Sequence, residues 1–279
     1  LTEPFSHSFI ANGFVVSNCG EQPLLPFEAC CLGSINLGRF TRSVWGTDLD
    51  LEKAIDWDGL AAAVRAGVHF LDNLIDANKY PLPEIDKMAR GNRKIGLGIM
   101  GWADMLLDLK IPYNSQEALD LATKVMAFIE KESMAESAEL AASRGVFPNW
   151  EKSVFAAKGL KVRNATTTTI APTGTISIIC GASSGIEPLF SLAFTRHVLG
   201  KSMVEANPRF ERVAKALGFY SDELMEKVAS AGSLQHVSGV PEEIRKVFVT
   251  AHEITPEWHI KMQAAFQKHT HNAVSKTVN

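Results

Sequence analysis

Three cysteines and one carboxylate lie close together near the start of the chain. Glu21 follows Cys19 by two residues, and the adjacent pair Cys30 and Cys31 comes next. Thiols grouped in this way could bind a metal or carry redox chemistry, although buried, inert cysteines are the more common state. Tetrahedral zinc is a poor interpretation, because the cysteines lack C-x-x-C spacing and the next histidine downstream is His69.

A second candidate site is a loop rich in hydroxyl groups. It consists of Pro172, Thr173, Gly174, Thr175, Ile176 and Ser177. The loop follows a β-branched segment, and its three hydroxyls and successive backbone N–H groups could bind a phosphate without any net positive charge. An ordinary turn rich in Thr and Ser remains the alternative.

Other motifs indicate packing more than chemistry. The pattern G-x-G-x-x-G at residues 96–101 resembles a dinucleotide-binding turn, but the preceding residues are polar and broken by Gly91, so we expect glycines that pack at a helix start. His269 and His271 would face different sides of a helix, and a shared metal would require a loop there. Cys180 lies in an apolar run and is expected to be in the core.

The elements that must position these groups alternate between strands and helices. An Asn12-Gly13 turn between two apolar runs predicts a hairpin within residues 1–18, and residues 19–47 suit loops and short strands. Periodicity and capping residues predict helices, and β-branched content predicts a strand at 164–171 and another begun at 273–279. The helices are expected at 51–77, 115–143, 206–217, 221–231, 241–251 and 255–271. This alternation favours an α/β fold.

Composition limits the class of protein. The chain has 279 residues, 46% hydrophobic and 21% charged, which excludes a disordered or collagen-like chain. The net charge of −3 gives no bulk basic field for nucleic acid. Four cysteines are too few for a disulfide scaffold, and we found neither a signal peptide nor a membrane-spanning apolar run, so a cytoplasmic protein is expected.

The segment NCGEQPLLPFEACCLGSINL (residues 18–37) resembles the active-site region of ribonucleotide reductase large chains, most closely the adenosylcobalamin-dependent class II enzymes. The family pattern there is Asn-Pro-Cys-Gly-Glu-Gln-Pro-Leu followed by Glu-Ser-Cys-Asn-Leu-Gly-Ser-Ile-Asn-Leu. Residues 92–106, 167–190 and 252–279 resemble the same family, so the similarity spans nearly all of residues 19–279.

This resemblance implies roles for individual residues. Cys19 becomes the thiyl-radical cysteine, Glu21 the carboxylate that takes the 3′-hydroxyl proton, and Cys30 one of the two thiols that reduce the substrate. The loop of residues 172–177 becomes the site for the substrate phosphates. Cys31 stands where the family usually has Asn, and only the alignment favours Cys30 over it.

The residues before Cys19 resemble instead the C-terminus of an intein. In that resemblance Asn18 cyclises and cuts the bond to Cys19, Cys19 first accepts the upstream chain as a thioester, and His7 assists as a proton donor. Ser17 replaces the usual His before the terminal Asn. The expected organisation is therefore an intein segment at 1–18 and the C-terminal part of a reductase barrel at 19–279.

The family fold is a ten-stranded α/β barrel, of which this chain is expected to hold the second part. The resemblance implies adenosylcobalamin, a ribonucleoside di- or triphosphate substrate, a thioredoxin-like or glutaredoxin-like reductant, and a dNTP or ATP effector bound outside this segment; a homodimer stays open. The isolated chain is expected to be inactive in reduction. The alternatives are a chain competent only for splicing, and a non-cobalamin reductase or glycyl-radical relative.

Overall fold

The computed structural model describes residues 8–11, 14–17, 21–198 and 201–278. The first described elements are β1 (Ser8–Ala11) and β2 (Phe14–Ser17), which pair antiparallel with Ser8 opposite Ser17. The two strands of the predicted hairpin are thereby confirmed, whereas Asn12 and Gly13 lie outside the described residues.

Four extended segments lie side by side and run parallel. The strand β3 (Leu32–Asn36) pairs with β4 (Gly96–Met100), Leu97 of β4 bridges to Thr168, and Ile170 bridges to Val274. The third parallel segment lies within the predicted strand at 164–171, and the fourth lies within the predicted strand at 273–279. Both are extended chain joined by isolated bridges and not continuous ladders. The whole of β4 is buried, as expected for a parallel strand covered on both faces.

Helices follow and cover these segments in an α/β order. They are α1 (Leu51–Ala54), α2 (Trp57–Ala77), α3 (Pro83–Asn92), α4 (Trp102–Asp108), α5 (Gln116–Arg144), α6 (Val154–Ala157), α7 (Gly174–Cys180), α8 (Pro208–Ala216), α9 (Asp222–Ala231), α10 (Glu242–Val247) and α11 (Pro256–Gln267). A second hairpin, β5 (Ala193–Val198) with β6 (Lys201–Ala206), lies between α7 and α8.

Local signals account for the bounds of the long helices. Ser115 caps α5 by accepting a hydrogen bond from the Ala118 N–H (3.1 Å), and Gly145 ends it at φ +83°. The predicted helix at 51–77 is interrupted because Ile55 bridges to Thr41 and Asp56 starts a new helix by capping the Gly59 N–H (2.9 Å). The main core packs α2, α5 and α11 against β4.

Three expectations were wrong in detail. The helix predicted at 241–251 ends at Val247, because Thr250 leaves it to bridge in parallel with Leu189. Cys180 is exposed rather than in the core, since α7 turns its apolar residues outward. Gly96 and Gly98 lie within a buried strand where they permit close packing, and of the glycines in this motif Gly101 lies at a helix start, as the N-cap of α4. No helix in the described ranges is long and apolar enough to cross a membrane.

Candidate active site

Three of the expected site residues cannot be placed. His7, Asn18 and Cys19 lie outside the described residues. The described part of the thiol and carboxylate segment begins at Glu21, which is 2% exposed. The described part of the candidate site is thus made of Glu21, its neighbours and the pair Cys30 and Cys31.

The backbone at Glu21 is fastened to two of the parallel segments. Its carbonyl oxygen accepts a hydrogen bond from the Thr169 hydroxyl (2.7 Å) and another from the Ala273 N–H (3.0 Å). Thr169 is fully buried, so this hydroxyl has no competing water. Sequence reasoning missed Thr169 as a site residue, and its only signal was its place in a run of four threonines.

Two glycines make room for this segment. A Cβ on Gly96 would lie 2.7 Å from Thr169 Cγ2 and 3.0 Å from the Gln22 side-chain nitrogen, and a Cβ on Gly98 would lie 2.2 Å from the Thr169 carbonyl oxygen. Real Cβ atoms do not approach so closely, so larger residues would displace the third segment or Gln22. The first two glycines of the G-x-G-x-x-G pattern thus permit close approach of protein to protein.

The adjacent cysteines have different surroundings. Cys30 is exposed, and desolvation together with the negative charge of Glu21 raises the pKa of its thiol. Cys31 packs against the main core, and its Sγ donates to the Leu71 carbonyl oxygen (3.4 Å). Burial, followed by the charge of Asp72, raises the pKa of Cys31 to about 11. Both thiols are therefore protonated near neutral pH, and Cys30 is the accessible one.

The segment that carries Cys30 is held in place by Glu28. The Glu28 carboxylate contacts Lys94 Nζ (2.6 Å), Asn92 Nδ2 (2.5 Å) and the Leu25 N–H (2.6 Å). Its side chain is only 2% exposed, so the ion pair is well shielded. Residues 25–31 are thereby tied to the end of α3 and the start of β4.

The hydroxyl-rich loop lies at the carboxyl end of the third parallel segment and leads into α7. Thr173 takes a left-handed conformation (φ 57°), and its hydroxyl accepts a hydrogen bond from the Gly185 N–H (2.7 Å). Ser177 is buried and pairs with Ser184 (2.9 Å between the oxygens). Thr173 and Ser177 therefore hold the loop to residues 184 and 185.

Because the Thr173 and Ser177 hydroxyls bond within the protein, the expectation that three hydroxyls face a ligand was wrong. Pro172, Gly174, Thr175 and Ile176 are exposed, so Thr175 presents the accessible hydroxyl of the loop. The first N–H groups of α7 have no partner within the helix, as at any helix start. Ligands of parallel α/β sheets bind at the carboxyl ends of the strands, which is where this loop lies.

The histidine pair meets a carboxylate in a turn beyond α11. His269 Nδ1 lies 2.8 Å and His271 Nε2 lies 3.2 Å from the two oxygens of Glu130. His271 Nδ1 accepts from the Thr167 N–H (3.2 Å), which fixes the ring. Within the described ranges, no group of three or more His, Cys, Asp or Glu is arranged to hold a metal ion.

Comparison with known proteins places this geometry in a family. The model of the ribonucleotide reductase barrel domain matches residues 10–162 and 156–279. The chain is 56% identical over 262 residues to a vitamin B12-dependent ribonucleoside-diphosphate reductase of Thermoplasma acidophilum, covering 94% of this chain and 33% of that protein. A reductase with the same description from Mycobacterium tuberculosis is 48% identical over 261 residues, covering 94% and 36%.

A solved structure is similar over most of the chain. The class Id ribonucleotide reductase alpha subunit of Actinobacillus ureae superposes with a TM-score of 0.71 at 26% identity, over 92% of this chain and 45% of that one. The chain spans about a third of the length of the B12-dependent relatives named above. With its parallel segments, buried Glu21 and hydroxyl-rich loop, this chain belongs to the ribonucleotide reductase barrel-domain family.

Proposed function

We propose that this chain is the C-terminal part of the catalytic barrel of an adenosylcobalamin-dependent reductase that converts ribonucleoside diphosphates to deoxyribonucleoside diphosphates. The observation that carries the proposal is a buried carboxylate, Glu21, together with an accessible thiol, Cys30, whose pKa is raised first by desolvation and then by the charge of Glu21. The names of the Thermoplasma and Mycobacterium relatives support the diphosphate substrate and the cofactor.

In this proposal, Glu21 takes the proton of the substrate 3′-hydroxyl while a thiyl radical on Cys19 removes the 3′-hydrogen atom. The 2′-hydroxyl leaves as water, and Cys30 with a second thiol supplies two electrons and becomes a disulfide. The raised pKa of Cys30 suits this role, because the protonated thiol is the form that can donate hydrogen. The Thr169 hydroxyl holds the Glu21 backbone in place.

The substrate phosphates are assigned to the loop at residues 172–177. The Thr175 hydroxyl and the N–H groups at the start of α7 would contact phosphate oxygens, while Thr173 and Ser177 keep the loop in shape. We therefore expect Thr175→Val to raise KM, and Thr173→Val to disturb the loop itself. A KM unchanged in Thr175→Val would argue against the assignment.

Adenosylcobalamin, when bound, would supply the radical that Cys19 carries. The described residues offer thiols and a carboxylate for the substrate side of the reaction, but no metal-ligand group, so no residue is assigned to the cofactor. A thioredoxin-like or glutaredoxin-like dithiol is proposed to regenerate Cys30, and the effector site is proposed to lie outside this segment. The same proposal includes a ten-stranded barrel, whose other strands would come from a longer polypeptide that contains this segment.

The test uses the full-length reductase that contains this segment. With adenosylcobalamin, a dithiol and a ribonucleoside diphosphate, we expect deoxyribonucleoside diphosphate to form, and Glu21→Gln to abolish it. Product formation that is indifferent to adenosylcobalamin would favour the non-cobalamin alternative.

We also propose protein splicing at the junction of Asn18 and Cys19, with residues 1–18 as an intein segment. The support is the sequence His7 to Asn18 directly before a cysteine. With a complete upstream intein fused, Asn18→Ala should block release of a product that begins at Cys19. Cleavage that persists in this variant would refute the proposal.

A further inference from the structure

Gln22 is a buried polar side chain that the proposed chemistry leaves unused. It is 6% exposed, and both its carboxamide nitrogen and its carboxamide oxygen lack a hydrogen-bond partner among the described residues. Leaving both atoms unpaired is costly, and native proteins rarely do so without a ligand or water at the site. A partner from outside the chain is therefore expected.

The chain holds this carboxamide in a slot. Gly96 lies beneath the nitrogen, which would be 3.0 Å from a Cβ at that position, and the methyl groups of Thr169 and Leu32 approach the same point within 2.8 Å. The Glu21 carbonyl beside it is fixed by Thr169 and Ala273. The backbone on the N-terminal side of Gln22 is therefore anchored at Glu21, the residue that carries the candidate catalytic carboxylate.

The unpaired atoms define the chemistry of the partner. The nitrogen needs an acceptor and the oxygen needs a donor, a combination that hydroxyl groups provide and that phosphate oxygens do not. The neighbouring Glu21 is assigned to the 3′-hydroxyl of the substrate, so the hydroxyl-bearing face of the ribose is the nearest such group. We propose that the Gln22 carboxamide binds the ribose hydroxyls of the nucleotide, as a sugar-specificity residue beside Glu21.

This inference rests on the proposed function, and it is tested by binding alone. The full-length enzyme without cobalamin is titrated calorimetrically with a ribonucleoside diphosphate and with its 2′,3′-dideoxy counterpart. Gln22→Met keeps the length and shape of the side chain but removes both hydrogen-bonding atoms. For this variant we expect about tenfold weaker binding of the ribonucleotide, because a good hydrogen bond is lost. Binding of the dideoxynucleotide should be unchanged.

The control is Gln116→Met, the same change at an exposed position of α5 whose amide pairs with Asp120 (2.8 Å). It should leave both affinities unchanged. The preference for ribose is the ratio of the two affinities within each variant. Partial misfolding lowers the fitted number of sites for both nucleotides alike, so it cannot imitate a change in this ratio. An equal loss for both nucleotides, or no loss for either because only water occupies the slot, would overturn the inference. Because wild-type reduction is measured separately, failure here leaves the proposed function standing.

Discussion

The most demanding prediction concerns Asp72, a fully buried carboxylate that joins several elements. One oxygen accepts from Arg93 Nε (2.8 Å) and Asn164 Nδ2 (3.0 Å), and the other lies 3.4 Å from Arg144 and 3.5 Å from Arg163. It thus connects α2 to three further elements, which are the end of α3, the end of α5 and the start of the third parallel segment. The perturbation is Asp72→Ala.

The expected loss of folding stability follows from the buried charge of Arg93 that Asp72→Ala leaves without its main partner. The Arg93 side chain is 3% exposed, and its remaining carboxylate partner, Asp76, has a side chain that is 46% exposed. Removing one partner of a buried ion pair leaves an uncompensated charge and costs about 3–5 kcal/mol. At roughly 2–4 °C per kcal/mol for chains of about 150–250 residues, the Tm should fall by about 6–20 °C.

Urea unfolding measures the effect as a lower midpoint at an unchanged m value. The matched control is Glu52→Ala, which breaks an ion pair with Lys124 whose side chains are 69% and 50% exposed. This surface pair should cost less than about 1 kcal/mol. An Asp72→Ala variant that loses no more than the control would refute the view that the buried network stabilises the junction.

The remaining predictions concern the thiols, the close-packed strand and a partly buried histidine. In the full-length enzyme, Cys30→Ser should abolish multiple turnover and Cys31→Asn should not, because Cys30 is exposed and Cys31 donates into the core; the opposite result would exchange their roles. Gly98→Ala should destabilise the chain by at least about 1–3 kcal/mol, since its Cβ would meet a backbone oxygen, whereas Gly174→Ala, with no atom within 4 Å, should be near neutral in urea unfolding. Burial lowers the pKa of His271, so the folded state binds fewer protons than the unfolded one and stability should fall as the pH drops below about 6.5. His271→Gln should flatten that pH dependence while His236→Gln at an exposed position should not; a slope unchanged in His271→Gln would assign it to other groups.

Local rules explain what the amino-acid sequence determined by itself. Helix α5 follows the N-cap Ser115 and ends before Gly145, and both of these boundary residues can be identified from the local sequence. The first hairpin, the long helices and the α/β order follow from periodicity and turn residues in the same way. The thiol and carboxylate segment was also identifiable, because its motif is contiguous.

Tertiary structure decided which of those groups are accessible and what holds them. Thr173 and Ser177 look equivalent to Thr175 in the sequence, yet segments 184–185 fold back and engage only the first two. Cys180 is exposed despite its apolar neighbours. The importance of Thr169 and Gln22 depends on Gly96 and Gly98, distant in the chain, because burial and close approach arise from long-range packing that local periodicity does not encode.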